Sequence, residues 1–137
     1  MTIARKAVDQ KGMLCLKLTG AASVVDAALG AFANPEGVPL LIARSFIHFR
    51  TGSTGAANLD VGVGAVGAKA SDIVSALAVL EATVGGKVVY GPAAQVAETE
   101  VPTAIWEADE YLTFSGSATT VGLDADVYVE YLRLDAS

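Results

Sequence analysis

The sequence is poor in charge, in cysteine and histidine, in aromatic rings and in long apolar runs, and each shortage removes a class of function. Only 18% of its 137 residues are charged, with nine Lys and Arg against fifteen Asp and Glu and a formal net charge of -6. The basic residues are scattered, whereas nucleic-acid binding needs clustered positive charge to displace counterions from phosphates. No nucleic-acid partner is expected. No run of about 18 uninterrupted apolar residues occurs, so there is no candidate membrane-spanning helix and no membrane partner is expected. A secretory signal is not expected either: Arg5 and Lys6 are followed by Asp9, Gln10 and Lys11, where an apolar stretch of about 7 to 15 residues would be required.

The scarce reactive residues lack companions. Cys15 is the single cysteine, so an internal disulfide and any CxxC or zinc spacing are out of reach. It lies in an alternating apolar run at residues 13–18 and reads as a small strand hydrophobe. His48 is the single histidine. No nucleophile-elbow sequence brings a catalytic partner to it, and it reads as a packed or interface histidine whose titration would make assembly sensitive to pH. Trp106, again the only one of its kind, reads as a core anchor ahead of an interface anchor.

Two acidic sets, Glu107, Asp109, Glu110 and Asp124, Asp126, Glu130, raise the question of a calcium site or a paired-carboxylate glycosidase site. Neither shows the ligand order of a calcium loop, and a sugar cleft with aromatic platforms is lacking. Both read as solvated. Residues 62–67, GVGAVG, satisfy the dinucleotide pattern G-x-G-x-x-G, but the pattern carries weight only where it opens a helix in a parallel βαβ unit. The expectation is a non-enzymatic chain without catalytic, metal or cofactor site.

What is abundant is small apolar residues, with 53% of the sequence hydrophobic and much of that Ala and Val. Such a surplus over charge suggests that other subunits cover part of the surface. Residues 1–11 lack a sustained period and read as an extended N-terminal arm, leaving residues 12–137 as a single domain. Leu14, Leu16 and Leu18 share a strand face. Residues 39–51 alternate throughout, with Leu41, Ala43, Ser45, Ile47 and Phe49 on one side and Ile42, Arg44, Phe46, His48 and Arg50 on the other. Both sides are expected to be covered at least in part. Residues 21–32 fit a helix or a strand equally well. In residues 59–64 glycines at alternate positions leave room for a close neighbour.

Ile73, Val74, Leu77 and Leu80 recur at helical spacing behind Ser71, which predicts one short helix near residues 71–80. Residues 102–106 and 110–115 read as strands joined by an acidic turn, and residues 125–134 as a long strand with Val127, Val129 and Tyr131 on one face and Tyr128, Leu132 and Leu134 on the other. The fold class is mainly all-β: a jelly-roll-like antiparallel β-sandwich of about seven to eight strands.

Residues 51–64, TGSTGAANLDVGVG, and 106–134, WEADEYLTFSGSATTVGLDADVYVEYLRL, resemble small β-sandwich structural proteins of tailed bacteriophages, in particular head decoration or cement proteins. The resemblance implies a virion component made in the host cytoplasm, bound to the major capsid protein on the outer head surface and assembled with itself as a homotrimer. An alternative with the same fold is a tail-fibre or receptor-binding head domain that grips a host glycan. The expected partner contacts are Ile3, Arg5, Lys6 and Val8 in the arm and Arg44, Phe46, His48 and Arg50 on the two-faced strand, with the glycine face of residues 59–64 as a third assembly candidate.

Overall fold

The structure, a computed structural model, describes residue 3, residues 11–91 and residues 104–134. The chain runs β1 (Lys11–Thr19), β2 (Gly30–Ala33), β3 (Leu40–Thr51), β4 (Asn58–Gly64), β5 (Val74–Ala78), α1 (Glu81–Val84), β6 (Val88–Gly91), β7 (Ala104–Trp106), β8 (Tyr111–Gly116) and β9 (Asp124–Arg133). Every strand pairing is antiparallel. One sheet has the order β1-β9-β3-β6, with β7 also paired to β3, and the other the order β2-β8-β4-β5. β9 occupies one edge of β3 along most of its length, so β6 at Ser45 to His48 and β7 at Leu40 to Ile42 share the other edge. The chain passes from one sheet to the other along β1 to β4 and again along β7 to β9, whereas β4 and β5 lie in one sheet and β6 and β7 in the other, and the two sheets form an antiparallel β-sandwich.

Alternation in the sequence becomes a core between the sheets. Val127 and Val129 of β9 and Ile47 and Phe49 of β3 face Leu59 and Val61 of β4 and Leu112 and Phe114 of β8, all of them buried. Trp106 is fully buried at one end, where its indole N–H donates to the Glu110 carbonyl at 2.9 Å and its ring meets Phe32 edge-on at 6.5 Å. Asn34 closes that end. Its amide donates to the carbonyls of Val38, Trp106 and Glu107, and its side-chain oxygen accepts from the backbone of Glu36 and Gly37. Glu36 is thereby held against Arg133 and the Tyr131 hydroxyl, at 3.1 and 2.6 Å. The Tyr131 ring lies over Gly12, where an added Cβ would come within 2.4 Å of it.

Two local expectations are corrected and one open reading is decided. A β-bulge between Ile42 and Arg44 resets the phase of β3, so the buried residues are Leu40 and Ile42 before it and Ser45, Ile47 and Phe49 after it, while Leu41 joins the opposite face. Residues 74–78 form strand β5 rather than part of a helix, and the short helix lies at Glu81–Val84. A register shift between Leu59 and Val61 inserts one extra residue in β5 opposite β4, with Ala76 at φ 51° and its N–H held by the Asp60 carboxylate at 2.9 Å. Two strand fragments separated by a bulge imitate helical spacing. Residues 21–32 resolve into turns followed by β2.

The outer faces of the two sheets are treated differently. On the sheet containing β8, Thr113 and Ser115 point outward yet are buried. The turn before β2 lies against this face, with the Ala27 N–H donating to Ser115 Oγ at 2.7 Å. Residues 65–72 fold over β4, where a Cβ on Gly62 would lie 2.7 Å from the Ala70 backbone and the Asp72 carboxylate accepts from the Val63 N–H. The glycine face does admit a close neighbour, but the neighbour is the chain itself. No described segment crosses the outer face of the sheet containing β3.

Candidate interface

That open face is laid out in cross-strand rows by the pairing of β1, β9 and β3. Leu41 stands opposite Leu132 on one side and Ile105 of β7 on the other; Arg44, Glu130 and Met13 form the next row; Phe46, Tyr128 and Cys15 the third; His48, Asp126 and Lys17 the fourth, with Val88 of β6 beyond His48. Of the large apolar side chains that are most exposed, Met13, Val88, Ile105, Leu132 and Leu134 fall on this one face, at 36 to 56% exposure. Scattered apolar residues on a surface need no explanation, whereas a contiguous set does.

The charges among them are paired with one another. Glu130 receives Arg44 at 3.4 Å and Lys11 at 3.7 Å. Arg50 grips Asp124 through two nitrogens, at 2.6 and 3.1 Å, and also bonds Asp126. This fork raises the guanidinium's proton affinity still further and holds the Asp124 carboxyl below its usual range, chiefly through the hydrogen bonds from Arg50. Cys15 and then Asp126 push the Tyr128 phenol above its ordinary value. The Arg44 guanidinium lies 5.0 Å from the centroid of the Phe46 ring, within cation–π range. Four cations meet three carboxylates here, although the whole chain is -6. The acidity therefore sits elsewhere, and this face is nearly neutral.

The fold resembles a chain in a solved structure described as the capsid of Ralstonia phage GP4, with a TM-score of 0.55 and 17% sequence identity over 99% of this chain and 92% of that one. The likeness is one of fold. No family model and no curated protein matches the sequence.

Of the residues expected to contact partners, Arg44, Phe46, His48 and Arg50 are brought together on this face. Ile3 is 81% exposed, and Arg5, Lys6 and Val8 lie outside the described residues. Sequence reasoning grouped Tyr128, Leu132 and Leu134 on one side of their strand but did not assign them to the interface, and it missed Met13, Leu41 and Ile105. Met13 alternates with Leu14 and Leu16 and was legible as outward; Leu41 was hidden by the bulge. Trp106, being inside, offers no platform for a sugar. Asp124, Asp126 and Glu130 are each engaged by a cation, while Glu110 closes the other acidic turn by accepting from the Glu107 N–H. Among the described residues no group of three or more His, Cys, Asp or Glu is arranged to hold a metal ion. The G-x-G-x-x-G segment leads from β4 into a turn and not into a helix.

Proposed function

We propose that this chain is a structural component of a phage virion, a capsid decoration or cement protein that seats the outer face of the β1-β9-β3-β6 sheet against its assembly partner. The observation that carries this reading is the gathering of exposed apolar side chains on one nearly neutral sheet face while the other sheet is covered by its own loops. Four strand positions about 4.8 Å apart and about 30 Å long give a flat footprint of roughly 600 Å², and side-chain relief brings this to the order of the roughly 800 Å² per partner found in stable interfaces. The fold likeness to a phage capsid chain supports the same assignment. The partners in this reading are the major capsid protein and further copies of the chain, as a homotrimer, on the outer head surface.

The test is binding to capsids that lack the protein. Wild-type chain should co-sediment with them to saturation, and Leu132→Asp and Met13→Asp should weaken that binding at least tenfold while leaving circular dichroism unchanged. Undiminished binding by both variants would overturn the assignment of this face. Failure of the wild-type chain to bind any capsid, with tight capture on a glycan array, would favour the receptor-binding alternative.

A further inference from the structure

We propose that the open edge of β1 accepts the N-terminal segment of a second copy of this chain, with Ile3 of that copy seated in the cleft between β1 and β2. β1 ends its sheet, so over nine residues one row of its backbone N–H and C=O groups faces no described strand. β2 ends the other sheet on the same side. Between the two edges opens a cleft of about 140 Å³, with Leu16, Leu18, Leu29, Phe32, Phe114 and Val127 among its walls. A strand added to such an edge pairs with the free backbone groups and directs every second side chain inward, so an apolar residue at the right register enters the cleft. An edge that is both long and underlain by apolar surface is otherwise a site of uncontrolled pairing.

The occupant follows from what precedes β1. Residues 1–10, fully extended at about 3.3 Å each, reach about 33 Å, enough to run along the whole strand. Ile3 finds no burial within its own chain, being 81% exposed. A tight fold-back on the same β1 would make Asp9 and Gln10 a two-residue hairpin turn, and such turns favour Gly at the position Gln10 would fill. A second copy is free of that constraint. The inference does not depend on the capsid role, since the exchange would operate in an oligomer with no shell present.

The experiment uses full-length chains in a Cys15→Ser background. One copy carries Ile3→Cys and the other an affinity tag with Leu16→Cys, an inward-facing position of β1 on the wall of the cleft. Mild oxidation of the mixture should give a covalent heterodimer at least tenfold more abundant than a control pair in which the second cysteine is Val66→Cys, in the turn after β4. Equal yields would overturn the proposal. In parallel, native mass measurement should show the wild-type chain as an oligomer and Ile3→Asp as a monomer at the same concentration. A wild-type monomer, or an Ile3→Asp oligomer of unchanged mass, would overturn it as well.

Discussion

Single side chains in this sandwich carry consequences that their residue types alone do not announce. Ser45 lies inside the core, 2% exposed, and its hydroxyl has no hydrogen-bond partner. A buried unpaired hydroxyl costs about 1–3 kcal/mol. Ser45→Ala should therefore raise the unfolding free energy by about 1 kcal/mol, read from the urea midpoint at constant slope. Gly62 behaves oppositely, because a Cβ there would stand 2.1 Å from the Asp72 carboxylate as well as against Ala70. Gly62→Ala must push residues 65–72 off the sheet, and a loss of about 1–3 kcal/mol is expected by analogy with overpacked cores. Acid sensitivity also belongs to individual residues. Glu36 and Asp124 have carboxyls held below their ordinary values of 4.5 and 3.8, by Arg133 with Tyr131 and by Arg50 respectively. A carboxyl depressed in the folded state contributes stability that is complete above its unfolded pKa and is lost as pH falls through the folded one. The stability of the wild-type chain should accordingly decline as pH drops below about 4. Arg50→Gln should flatten that decline in a series of denaturation curves; an unchanged slope would show that the Arg50 fork does not contribute to it.

At the scale of the element, what the sequence reveals depends on whether alternation runs unbroken. β1, β9 and residues 45–49 of β3 alternate without interruption, and their faces were legible residue by residue. Sequence periodicity carries no mark of an inserted residue, so the bulge in β3 hid the outward position of Leu41 and the extra residue in β5 made a bent edge strand look helical. The candidate face was legible to the same degree: Arg44, Phe46, His48 and Arg50 could be grouped from one strand, but their neighbours come from β1, β7 and β9, and only the cross-strand register brings these together. The β5 bulge makes its own prediction. Asp60 is 6% exposed, holds the Ala76 N–H and lies 3.5 Å from Lys69. Replacing it with Ala should strand that N–H at a cost of about 1–3 kcal/mol, with faster amide exchange at Ala76 and its neighbours. Asp60→Asn, which keeps an acceptor oxygen, should restore most of the protection.

The whole molecule divides its labour between its two sheets. One is finished by the chain's own loops, which bury polar outward residues such as Thr113 and Ser115 in internal hydrogen bonds. The other presents paired charges around an apolar field and has an open edge at β1. This asymmetry gives a direction to assembly: contacts made through the open sheet leave the loop-covered sheet facing away from the partner. A further consequence arises where β6 and β7 share one edge of β3. The chain leaves that edge at Gly91, opposite Ser45, and returns at Ala104, opposite Ile42. Three residue steps along a strand span about 10 Å, yet twelve residues, 92–103, make the connection. The pairing of β6 and β7 with β3 therefore places almost no demand on the length of this link. Lengthening the link by a foreign twelve-residue peptide after Ala97 should then move the melting transition by no more than a few degrees, which makes the gap between β6 and β7 a place where chain length can change while strand register cannot.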